Sequence, residues 1–118
     1  MGLTIERMKY ADEMSLSYSG FNELRECIAK VAGVVQPPTV KQAYQLTKEE
    51  RHSPFIELLN HYDCEGYLNS GECENLMEDF EKYDSDFEKQ FPDKYEDYQR
   101  LKELIEDTYN DSGVISFR

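Results

Sequence analysis

Two kinds of apolar periodicity divide this chain, and where each falls constrains the fold more than any single motif does. Near the start, Leu3 and Ile5, then Met14, Leu16 and Tyr18, alternate with polar residues, the period-2 pattern of half-buried strands. At the far end Val114, Ile115, Ser116 and Phe117 read as one more short strand, able to join that N-terminal hairpin. The apolar residues between them recur at helical spacing. The expected fold class is therefore α+β: a mostly helical single domain over residues 1–118, with about four helices. A small antiparallel sheet is expected from the N-terminal hairpin and the C-terminal strand.

The helices announce themselves through caps. Ser19 is placed to cap a helix carrying Phe21, Leu24, Cys27, Ile28 and Val31 on one stripe, with Gly33 to stop it. Residues 34–46 contain Pro37-Pro38 and no helical stripe, so they read as a loop with a turn near residues 40–44. Thr47 and Glu50 have capping-box spacing. Ser53-Pro54 pairs a capping hydroxyl with a proline at the first helical position, ahead of Phe55, Ile56, Leu58 and Leu59. Asn69 and Glu72 form a second cap pair before Cys73, Leu76, Met77 and Phe80. Phe91-Pro92 opens the last helix, with Tyr95, Tyr98, Leu101, Ile105 and Tyr109 facing inward and Gly113 ending it. The hairpin connection falls on Tyr10, Ala11, Asp12 and Glu13, where turn chemistry is weak.

Charge is the second constraint. The 118 residues hold 25 acids against 13 bases, a formal charge of −12. Residues 1–71 contribute ten acids and seven bases, a net of −3, whereas residues 72–118 contribute fifteen acids and six bases, a net of −9. The aromatic share of 13% separates the chain from disordered polyanions. Direct, unassisted binding to nucleic acid or an anionic membrane is not expected, because the phosphate term is repulsive. A field of this kind attracts cationic partners. Tyr83, Tyr95, Tyr98 and Tyr109 are interleaved with the acids, and tyrosine is a good interface anchor. Lys82, Lys89 and Lys94 fall far short of neutralising them. Such a surface either keeps a small protein soluble or imitates the phosphates of a nucleic acid and occupies a basic groove. The residues expected to meet a basic partner are Glu78, Asp79, Glu81, Asp84, Asp86, Glu88, Tyr95, Glu96, Asp97, Glu103, Glu106 and Asp107.

The stretch 61–72 reads H-Y-D-C-E-G-Y-L-N-S-G-E and resembles an EF-hand loop. Gly66 falls on the sharp-turn glycine, Leu68 on the apolar eighth place and Glu72 on the twelfth, where a bidentate carboxylate is expected. His61, Asp63, Glu65, Asn69 and Glu72 are the candidate ligands, with calcium as the cation and no cofactor required. The fit departs at the first place, where His61 offers nitrogen to a hard cation, and at Glu65, one methylene longer than aspartate. The same residues can instead close a turn and cap the next helix. A zinc set from His61, Cys64 and Cys73 with His52 or Cys27 lacks the usual second close pair. A Cys64–His61 nucleophile has no orienting group or oxyanion hole, and no phosphate loop or nucleophile elbow is present, so an enzyme is not expected.

The strings S-Y-S-G-F at residues 17–21 and L-L-N-H-Y-D-C-E-G-Y-L at residues 58–68, with the terminal Phe117-Arg118, resemble a family of small, acidic bacterial and phage proteins. That resemblance brings kinship and no activity to transfer. The chain is also similar in size and charge to phage proteins that inhibit bacterial defence enzymes. The expected function is a non-catalytic interaction protein of bacterial or phage origin, acting on a basic, nucleic-acid-handling partner. The alternative is a metal-responsive EF-hand-like domain. Three cysteines that cannot all pair, and a charged start without a signal peptide, lead to an expectation of a cytoplasmic protein.

Overall fold

A computed structural model of the chain describes residues 2–7, 13–34, 40–62 and 66–118. Strands β1 (Gly2–Arg7) and β2 (Glu13–Ser17) form the expected antiparallel hairpin, with Leu3 opposite Leu16 and Ile5 opposite Met14. Its connection, residues 8–12, lies outside the described residues. The C-terminal strand, β4 (Val114–Phe117), pairs antiparallel with β1, and Thr4 and Arg118 exchange both backbone hydrogen bonds, at 2.7 and 2.9 Å. A short strand that the alternation pattern does not reveal, β3 (Tyr67–Asn69), completes a four-stranded sheet in the order β2-β1-β4-β3. Three residues are too few for a period to show. Strand pairing supplies what the sequence pattern lacks.

One face of the sheet, with Leu3, Ile5, Met14, Leu68, Ile115 and Phe117, is buried against the helices. There are six α-helices among the described residues rather than four. They are α1 (Tyr18–Ala32), α2 (Lys48–Arg51), α3 (Ile56–Leu59), α4 (Ser70–Lys82), α5 (Asp84–Gln90) and α6 (Tyr95–Asn110). The extra helices are α2, a single capped turn, and α5, which the polar run after Lys82 conceals. None of these helices is long and apolar enough to cross a membrane.

The cap assignments hold at both capping boxes and shift at three other places. Thr47 and Asn69 each accept from the N–H three residues on, while Glu50 and Glu72 accept the return bond. Helix α1 is capped by Ser17, not Ser19: the hydroxyl of Ser17 accepts from Gly20 N–H at 2.9 Å, and Tyr18 already belongs to the helix rather than the strand. Gly33 ends α1 in the left-handed region, as expected. Ser53 does not cap α3, because its hydroxyl turns back to the Glu49 carbonyl. Helix α3 instead starts from Phe55, held at φ 61°, with its N–H donated to the Asp79 carboxylate of α4 at 2.9 Å. Burying the Phe55 ring completely offsets a backbone conformation that L-residues seldom adopt. Pro92 opens a short 3-10 turn (Pro92–Lys94) ahead of α6, and the left-handed residue at its far end is Ser112 rather than Gly113.

The core holding the helical half together is aromatic. Phe55 meets Phe80 edge-on at 5.1 Å between ring centres, Phe80 meets Tyr98 at 4.8 Å, and Tyr98 stacks on Phe87 at 4.3 Å. The Tyr98 hydroxyl donates to the Phe80 carbonyl at 2.6 Å, and burial pushes its phenol well above the ordinary range, so the proton stays. Tyr98→Phe leaves that carbonyl unpaired in a dry site. The expected cost is about 1–3 kcal/mol in urea unfolding, with an unchanged denaturant slope.

Candidate functional site

The loop 61–72 is entered from α3 and left through β3 and α4. Its entry is tied down by Arg25, a buried residue of α1. The guanidinium donates to the His61 carbonyl at 2.5 Å and to Asn22 at 2.5 Å, and lies 4.7 Å over the Phe21 ring. Arg25 falls on the inner stripe of α1 with Phe21, Leu24 and Ile28, so its inward position was available from spacing alone. A charge on an apolar stripe is easily passed over as a defect.

Gly66 adopts φ 103°, a positive φ that favours glycine. The remaining described members of the loop are engaged with each other. The His61 ring packs 4.3 Å from the Phe117 ring, and its two nitrogens lie 2.7 Å from the Tyr62 carbonyl and 3.3 Å from the Tyr67 carbonyl. A Cβ on Gly66 would approach that ring to 3.2 Å, so the imidazole fills the inside of the turn. The Tyr67 carbonyl, which occupies the backbone-ligand place, thus already faces a ring nitrogen. Asn69 and Glu72 spend an oxygen each on the capping box. Asp63, Cys64 and Glu65 lie outside the described residues, and among the described ones no cluster of three or more His, Cys, Asp or Glu side chains is arranged to hold a metal. Cys73 is fully buried and its thiol is pushed up to about 12, first by burial and then by Glu72, so it persists as an apolar thiol.

The acidic half divides into carboxylates that serve the fold and carboxylates that face solvent. Asp79 accepts the Phe55 N–H. Asp84 accepts from the Tyr95 hydroxyl at 2.5 Å and from Lys102 at 2.8 Å. Burial alone would raise the Asp84 carboxyl, but these two donors outweigh it and hold it below the usual range. Tyr95 is correspondingly occupied, bonded to both Asp84 and Gln99. Glu78, Glu81, Asp86, Glu88, Glu96 and Asp107 are exposed, with Asp97 and Glu106 half-buried, and these eight carry no salt bridge among the described residues. Among the described residues, exposed Glu103 has only Arg100, at 3.6 Å. Two bases of this half are directed elsewhere: Lys94 reaches Glu23 of α1 and Arg118 reaches Glu6 of β1.

Among the described residues three exposed large aromatics, Tyr44, Tyr62 and Tyr67, stand in the other half, and the backbone carbonyls of Tyr62 and Tyr67 face the two His61 ring nitrogens. A cavity of about 280 Å³ beside that ring is lined by Leu46, Arg51, Ile56, Glu57, Asn60 and Glu72 as well as His61. Neither a family model, a curated protein nor a solved structure matches this chain.

Two measurements test these assignments. Asn69→Ala removes a helix cap and should cost about 1 kcal/mol, equally in chelator and in calcium; a cost that changes with calcium would restore a ligand role for Asn69. Burial raises the Glu57 carboxyl, and the Asp79 and Glu72 charges add to this against the bond from Asn75. A carboxyl whose folded pKa is raised binds its proton more tightly when folded, so stability falls as pH rises through that pKa. Glu57→Gln keeps the oxygen that Asn75 uses. It should raise Tm at neutral pH and leave it unchanged at about pH 3, below the ordinary carboxylate range.

Proposed function

We propose that this chain is a non-catalytic acidic interaction protein of bacterial or phage origin, whose helical half occupies the basic, nucleic-acid-binding surface of another protein and blocks it. The observation that supports this reading is the set of carboxylates, Glu78, Glu81, Asp86, Glu88, Glu96, Asp97, Glu106 and Asp107, that carry no ion pair among the described residues, on helices where Lys94 and Lys102 are committed to Glu23 and Asp84. Leaving so many like charges unpaired on one half of a small fold costs self-repulsion, and a cationic partner relieves it. Helices fixed by an aromatic core present those charges in a constant arrangement, so little order has to be gained on binding. Competition with nucleic acid follows, because both ligands seek the same cations on the partner. Asp79, Asp84 and Tyr95 contribute indirectly, by holding α3, α5 and α6 in place.

The test uses purified basic nucleases and helicases as candidate partners. Association should be fast at low salt and slow steeply as salt is added. Replacing Glu96, Asp97, Glu103 and Glu106 together by lysine should lower the association rate by roughly tenfold or more while the far-ultraviolet dichroism is retained. Binding that ignores salt, or that survives this charge reversal at wild-type rate, removes the proposal.

A further inference from the structure

The sheet ends on β2, and the register shows which of its backbone groups are spare. Thr4 exchanges its hydrogen bonds with Arg118, so it faces β4; its neighbours Leu3 and Ile5 then face β2, and their partners Leu16 and Met14 face back. Ser15 lies between those partners, so its N–H and C=O point away from the sheet. The Glu13 carbonyl points the same way and accepts from the Arg100 guanidinium of α6 at 2.8 Å. Beside this edge runs a groove of about 440 Å³ lined by Met14 and Ser15 from β2 and by Glu96, Asp97, Arg100 and Glu103 from α6. Three carboxylates line the groove with one guanidinium, and Glu13, next along β2, is exposed.

We infer that this edge and groove are one docking site, at which an extended basic segment of a partner protein adds as a fifth strand beside β2. The segment would bond to the spare N–H and C=O of Ser15 through its backbone. Its alternate side chains would then point over α6, where lysine or arginine meets Glu96, Asp97 and Glu103. A second copy of this chain is a poor occupant, since it brings a formal charge of −12 to the same acids. Arg100 has a role in this arrangement: by holding the Glu13 carbonyl and standing 3.6 Å from Glu103, it covers part of the edge until a competing cation displaces it. The inference rests on the proposed basic partner and adds the way in which that partner is held.

The experiment uses the full chain and, as probe, a peptide of about ten residues alternating lysine with valine, beside a peptide of equal charge interrupted by prolines. Binding at low salt should slow hydrogen exchange of the Ser15 amide, and the proline-interrupted peptide should not. Ser15→Pro removes one edge donor and no charge, and proline is tolerated on edge strands. It should weaken the alternating peptide by about tenfold, as should Glu96→Gln with Glu103→Gln. If the peptide binds equally well to Ser15→Pro, or leaves the Ser15 amide unprotected, strand addition is overturned and attraction of a basic partner survives. If neither peptide binds at low salt, both readings fall. Should Ser15→Pro fail to fold, the amide protection in the wild-type chain decides alone.

Discussion

The stack of rings from Phe55 through Phe80 and Tyr98 to Phe87 is what lets a segment of net −9 pack at all. Helices α4, α5 and α6 carry charges that repel one another across any arrangement that brings them together. Apolar burial, the bonds hidden within it and a few ion pairs such as Lys102–Asp84 oppose that repulsion. The four rings are fully buried. They come from α4, α5, α6 and the start of α3, so one contact set fixes four elements, and the acids are left on the outside because the inside is full.

Legibility in the sequence follows the range of the interaction concerned. Both capping boxes, the hairpin and the left-handed stop at Gly33 could be read directly, because each depends on residues within a few positions of one another. Strand β3 could not, since its hydrogen-bonded partner is β4, far along the chain. Phe55 is the sharper case. Ser53-Pro54 has every local mark of a helix start, yet the cap is Asp79, supplied from α4 across the core. Local rules had no access to that carboxylate. For the site, the acidic surface was legible as composition, but the division between Asp79 or Asp84, which serve the fold, and Glu96 or Glu103, which face the groove, needed three dimensions.

The cations reveal how the molecule keeps its charge on display. Arg7 reaches Asp111 and the Asp107 carbonyl at the end of α6, Arg25 holds backbone carbonyls at the loop entry, and Lys102 joins α6 to α5. Lys94 and Arg118 tie the acidic half to α1 and β1. Each of these bases joins two elements, and few of them sit among the solvent-facing acids. These five bases work as fastening, and much of the negative excess stays where another molecule can reach it.

The order of strands has a consequence in time. Ile5 and Phe117 are direct partners, so more than a hundred residues of chain must be gathered before β1 and β4 can meet. Until then β1 and β2 form an isolated hairpin and β3 has no neighbour, and an isolated hairpin is marginal in water. The helical contacts among α4, α5 and α6 span much shorter loops and close at lower entropic cost. Folding of this chain is therefore expected to start from its most highly charged part, with a rate that rises with ionic strength for as long as that part must collapse against its own repulsion.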